Sequence, residues 1–134
     1  GGGADGSLIS FGESDEFAFP ANAGLEDISN ELKKFADNHN VSYGDIIQFA
    51  GAVGLSNCAG APQLTAFVGR PPAVAASPPN LLPLPTDTVA SIIARFGEAG
   101  IGRNNLVWLL ASHSVAVQNH VDPAIAGSPF DSTP

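Results

Sequence analysis

Asn104-Asn105-Leu106-Val107-Trp108-Leu109-Leu110-Ala111-Ser112-His113-Ser114-Val115-Ala116-Val117 is the stretch on which the reading of the fold turns. Leu106, Leu109, Leu110, His113, Ala116 and Val117 stand three or four residues apart, the spacing of one helical face. With the breaker Gly100-Ile101-Gly102 just upstream, the pattern predicts a helix from about Asn104 to Asn119. His113 then lies in the middle of an apolar stripe. Taken alone, such a histidine is ordinarily a satisfied core residue. A metal ligand needs the same setting, because a neutral imidazole on a rigid helix must meet its metal inside a dry pocket. Trp108, five residues before His113, sits about 140° round the helix and cannot share that face.

Working outward, Thr86 is placed to cap a helix through about Glu98, with Val89, Ile92, Ile93 and Phe96 on one side. Nearer the start, Leu25, Ile28, Leu32 and Phe35 predict a helix over residues 25–35, with Lys33 and Lys34 near its C-terminal end, where they suit the macrodipole. Ser42-Tyr43-Gly44-Asp45 has the form of a capping box with Asp at the third helical position. The run Ile46 to Leu55 that follows is apolar almost all round, which predicts a buried helix. Between Arg70 and Thr86, six prolines forbid helix interiors and central strands. Val74, Leu81, Leu82 and Leu84 in that segment are too apolar for a solvated linker, so an ordered loop lying on a core or a ligand is expected. A short stretch from Leu64 to Val68 is the only hint of period-two alternation. The predicted class is mainly α.

The 134 residues are enough for one domain with an ordinary core. Charged residues make up 13%, about half of the roughly 25% typical of soluble domains, so something is expected to cover this chain. Thirteen acidic against five basic residues give a net charge of −8, which argues against nucleic acid and against an anionic membrane surface. No apolar run approaches the length of a spanning helix. With no Met, Gly1-Gly2-Gly3 at one end and Phe130 to Pro134 at the other, both ends are expected to be cut. The lone Cys58 fits a buried small apolar side chain or half of a disulfide. Asn40-Val41-Ser42 is an N-glycosylation triplet.

The string Leu109-Leu110-Ala111-Ser112-His113-Ser114-Val115-Ala116 resembles the proximal-histidine motif of plant and fungal haem peroxidases. Four companion blocks follow that family's order and spacing. Gly1 to Ser7 resembles its distal calcium loop, Asn57-Cys58-Ala59-Gly60-Ala61-Pro62 and Phe67-Val68-Gly69-Arg70 resemble two further signatures, and Pro129 to Pro134 resembles the start of its proximal calcium loop. Over essentially its whole length the chain resembles an internal piece of a secreted fungal class II haem peroxidase of the lignin and versatile peroxidase kind.

That resemblance implies part of the all-helical haem-peroxidase fold, about four helices plus long loops of a larger two-lobed domain. Residues 1–134 would be one incomplete domain, from the distal calcium loop to the proximal histidine helix and the start of the proximal calcium loop. It implies haem b with His113 on the iron and Phe130 in the proximal pocket, and two calcium ions, one held by Gly3, Asp5 and Ser7, the other by Ser114, Asp131 and Thr133. Calcium prefers six to eight oxygen ligands, and Asp5 and Ser7, two apart in an extended loop, would project to the same side. An EF-hand does not fit, since Glu16 falls at the twelfth loop position but Ser10 holds the sixth, where Gly belongs. Calcium at Ser114 would fix the helix end that aims His113.

By the same resemblance, hydrogen peroxide oxidises ferric haem by two electrons, and aromatic substrates return them singly, one route running through Trp108 as a surface relay. The distal His and Arg for peroxide cleavage would lie upstream and a carboxylate partner of the proximal histidine downstream, so the piece alone is expected to be inactive. A complete protein would be extracellular and monomeric, with no nucleic-acid or membrane partner. Three departures qualify the match. Gly102, Arg103, Asn104 and Asn105 stand where acidic residues often surround the relay tryptophan. Asn119 replaces an aspartate of manganese-oxidising relatives, and an amide is a poor substitute on a hard cation. His120 replaces an acidic residue beside the haem propionates. The alternatives are a manganese-dependent or generic phenol-oxidising peroxidase of the same fold and, more remotely, a non-enzymatic secreted calcium-binding domain.

Overall fold

A computed structural model describes residues 3–111 and 113. The chain divides into two compact units, Gly1–Leu81 and Leu82–Pro134. Helices α1 (Ser7–Ser10), α2 (Glu26–His39) and α3 (Tyr43–Ser56) belong to the first, α4 (Val89–Glu98) and α5 (Arg103–Ala111) to the second. Among the described residues there is no strand, as the weak alternation at Leu64 to Val68 allowed.

Helix α2 starts with Glu26 and Asp27 in its first turn, where carboxylates meet the positive end of the dipole. It stops at Asn40, which takes a left-handed φ of 52° and donates its backbone N–H to the Ala36 carbonyl. The helix packs on α3 and α1, but not through the expected stripe. Ser29 and Ala36 are the buried residues, seven apart and so on one face. Leu32 is half-buried, Leu25 and Ile28 are exposed, and Phe35 keeps 56% of its surface open. Small side chains let helices approach closely, so Ser29 and Ala36 take the contact and the larger residues turn outward.

Ser42 caps α3 as predicted, its hydroxyl accepting the Asp45 backbone N–H at 3.1 Å. The helix is not buried all round: Phe49, Val53 and Leu55 are exposed. Phe49 and Val53 join Leu64, Ala66 and Val68 around an open groove of about 470 Å³. Apolarity decided the sequence reading, yet it shows only that a side chain prefers cover, not that a neighbour is there to give it.

The carboxylate of Asp45, with its side chain only 8% exposed, reaches across the chain to residues 69 and 70. It accepts the Gly69 N–H at 2.7 Å, the Arg70 N–H at 3.2 Å and the Arg70 Nη1 at 3.0 Å. The Arg70 guanidinium also donates to the Phe67 carbonyl at 2.7 Å, which ties the Phe67–Arg70 segment together. A second buried carboxylate, Glu16, accepts the Ser77 N–H at 2.7 Å across 61 residues. The proline-rich loop is therefore fixed by its backbone. Of the two expected covers, a core is not found for its apolar side chains, since Val74 is 96% exposed and Leu82 and Leu84 are also open.

In the second unit α4 begins at Val89, capped by the Thr88 hydroxyl on the Ser91 N–H, rather than at Thr86. Asp87 causes the shift: its carboxylate accepts the Leu84 N–H, and its own N–H donates to the Leu84 carbonyl, so residues 84–87 form a turn. The helix ends in a Schellman arrangement, with Gly100 at φ 78° and the Ile101 N–H on the Phe96 carbonyl. Helix α5 packs on α4, and Leu106 is buried. Helix α5 is described as far as Ala111 and His113 has a 3-10 conformation; the rest of the expected helix to Asn119 lies outside the described residues.

Asp45 is held down to about 2, first by the Gly69 N–H and then by Arg70 and Ser42. A folded value below the ordinary 3.8 means that its stabilisation is full above that value and is lost as pH falls through about 2. Asp45→Asn is expected to lower the melting temperature at neutral pH by about 5–10 °C. In a pH series of thermal melts, the part of the acid-induced fall between about pH 4 and about pH 2 should be weaker in this variant than in the parent protein.

Candidate functional site

At the end of α5, Leu109 and Leu110 each keep 53% of their surface open, and His113 follows two residues beyond Ala111 with its side chain exposed. The buried member of the predicted stripe is Leu106. Trp108 is 75% exposed, in keeping with its expected place off that stripe. The first turn of α5 holds no acidic residue. An imidazole beside open leucine surface suits a flat, largely apolar group carrying a metal, which needs one nitrogen donor and water-free walls. The residues present thus fit a haem face.

At the other end of the chain, Gly3, Asp5 and Ser7 share one tight turn. Gly3 adopts φ 77° and its carbonyl accepts the Asp5 N–H at 3.0 Å, while Asp5 Oδ1 accepts the Ser7 N–H at 3.1 Å. The loop is not extended, as the two-residue spacing suggested; it curls and enters α1 through Gly6 at φ 82°. Gly6 is required there, because a Cβ would come within 2.5 Å of the Gly44 backbone nitrogen. Gly44 answers in kind: its own Cβ would meet the Ala4 carbonyl oxygen at 2.5 Å. Backbone thus lies on backbone, and the turn is docked on the helix start that carries Asp45. Asp5 Oδ1 is spent on Ser7 and the Gly3 carbonyl on Asp5, while the second carboxylate oxygen and the Ser7 hydroxyl are oxygen donors of the type a hard cation takes.

Among the described residues no group of three or more His, Cys, Asp or Glu side chains could hold a metal. Cys58 is exposed rather than a buried small apolar residue. Ser114, Phe130, Asp131 and Thr133, together with Asn119 and His120, lie outside the described residues.

The ion pair of Asp45 and Arg70 escaped the sequence reading, although both residues stood in motifs it had marked. The missing signal was scarcity. In a chain with five basic residues, an Arg directly after Gly in an apolar loop calls for a buried carboxylate.

The chain is 61% identical, over all of its length, to a low-redox potential peroxidase of Taiwanofungus camphoratus, covering 40% of that protein. It is 54% identical to Versatile peroxidase VPS1 of Pleurotus eryngii and 53% identical to Manganese peroxidase 3 of Phlebia radiata, covering all of this chain and 36% and 37% of those proteins. It therefore spans well under half the length of these curated relatives. The family described as Peroxidase matches residues 1–130. The relatives at 50–61% identity are fungal low-redox potential, versatile, manganese and lignin peroxidases, and with a family match over nearly its whole length the chain belongs to the peroxidase family.

Proposed function

We propose that this chain is the proximal-histidine part of a secreted, extracellular haem peroxidase of the lignin or versatile kind, which uses hydrogen peroxide to oxidise aromatic compounds in one-electron steps. The observation that carries the reading is the exposed His113 at the end of α5 beside the half-open Leu109 and Leu110, in a chain matched to the peroxidase family over residues 1–130.

Haem b, when bound, supplies the redox chemistry. His113 offers its imidazole to the iron, and Leu109 and Leu110 keep water from that side. By the family resemblance, Phe130 would be the phenylalanine of the proximal pocket. Trp108, with three quarters of its surface in solvent, receives electrons from reductants too bulky to reach a buried cofactor. Gly3, Asp5 and Ser7 contribute oxygens to one calcium ion, and Ser114, Asp131 and Thr133 to a second. The first ion would clamp the turn that already rests on Gly44. The second would steady the segment that aims His113. The net charge of −8 suits a monomer that avoids nucleic acid and anionic membranes.

A manganese-dependent reading is favoured by the 53% identity to a protein named for that activity and opposed by Asn119. Oxidation of divalent manganese by the full-length, haem-loaded protein with no oxidation of veratryl alcohol would establish it in place of the first reading.

Three outcomes are expected of the full-length, haem-loaded protein. His113→Ala should lose the Soret band and peroxide-dependent turnover by more than the roughly 10–100-fold that partners of a metal ligand alone are worth. Trp108→Ser should oxidise veratryl alcohol near background while keeping its rate on small phenols; unchanged veratryl alcohol activity would remove the relay role. Asp5→Ala should melt at lower temperature than the parent protein in calcium, and the difference should shrink to what the lost Asp5–Ser7 hydrogen bond accounts for once a chelator has been added to both.

A further inference from the structure

We propose that Asn40 carries an N-linked glycan, a modification that rests on the secreted reading above. Asn40-Val41-Ser42 is the only Asn-x-Ser/Thr triplet in the 134 residues. It falls in the connection between α2 and α3, where residues 37–41 are exposed throughout. A glycan is bulky and hydrated, so its asparagine must stand on such a surface.

The way Asn40 is used by the fold leaves it available. Its cap role is carried by the backbone, through the left-handed φ of 52° and the N–H donated to Ala36. Its side-chain amide makes no hydrogen bond among the described residues, so a sugar on Nδ2 displaces nothing. Ser42 is used differently. Its hydroxyl accepts the Asp45 N–H in the folded chain and is needed by the modifying enzyme before folding. Transfer must therefore precede the capping of α3, as it does when a chain is modified while entering the secretory pathway.

In the transfer, Nδ2 of Asn40 attacks the anomeric carbon of a lipid-pyrophosphate-linked oligosaccharide. The N–C bond forms, the bond from that carbon to the pyrophosphate oxygen breaks, and the proton lost from Nδ2 ends on the released lipid pyrophosphate or in solvent. No group is oxidised or reduced. The attached glycan would then shield the exposed turn between the two helices from proteases.

The choice of variants follows from the two caps. Ser42→Ala would remove the α3 cap together with the triplet and so confuse folding with modification. Asn40→Gly keeps the left-handed conformation at no steric cost and removes only the acceptor amide. Ser42→Thr keeps both the cap and the triplet. The test expresses the full protein in a secreting fungal host, treats it with an amidase that cleaves N-linked glycans, and reads gel mobility and the mass of the peptide containing residue 40. Expected are a loss of mass on treatment with conversion of Asn40 to Asp, the same behaviour in Ser42→Thr, and no change at this peptide in Asn40→Gly, with that variant still secreted. Protein recovered from the medium with Asn40 unmodified overturns the glycan while leaving the secreted reading intact. Protein retained inside the cell with Asn40 unmodified overturns both.

Discussion

One buried carboxylate organises the first unit. Asp45 sits in the opening turn of α3, where the Ser42 cap and the helix dipole already favour negative charge. Three donors from residues 69 and 70 converge on it. Burying a charge is costly unless it is paired and hydrogen-bonded, and here both conditions are met by a loop that has no regular structure of its own. The Gly3–Ser7 turn depends on the same place, because Gly44, next to Asp45, provides the bare backbone on which Ala4 and Gly6 rest. The Gly3–Ser7 turn and the Phe67–Arg70 segment thus share a single foundation.

The parts of the fold set by near neighbours along the chain are legible from the residues alone. Apolar spacing finds α2, α4 and α5, and the Ser42 and Asp45 pair finds the start of α3. Where boundaries move, a local hydrogen bond moves them, as Asp87 does for α4. The four-residue α1 is not legible, since it is too short to show a period and is set by the left-handed Gly6. The anchors from Asp45 to Arg70 and from Glu16 to Ser77 span 25 and 61 residues, and no periodicity encodes a contact at that range. Burial is read least well. Phe35, Phe49 and Val53 have the character of core residues, but their sequence does not say what covers them.

The candidate site divides along the same line. His113 and Trp108 can be singled out from helical geometry and a matching string, and the structure gives both exposed side chains. The oxygen set of Gly3, Asp5 and Ser7 does form one turn, yet its shape does not follow from spacing, because a left-handed glycine and a carboxylate-to-backbone bond curl it. Open leucine surface beside an imidazole is an unfavourable way to leave a helix end in water. It becomes reasonable when a large apolar cofactor takes that surface, which is the arrangement a haem peroxidase needs.

The identity of the iron ligand is the central claim, and resonance Raman of the ferrous haem-loaded protein addresses it most directly. An iron–imidazole stretching band that shifts on isotopic labelling of histidine and disappears in His113→Ala, with partial return when free imidazole is added, is the predicted result. A band that persists unchanged in His113→Ala would place another residue on the iron and contradict the account.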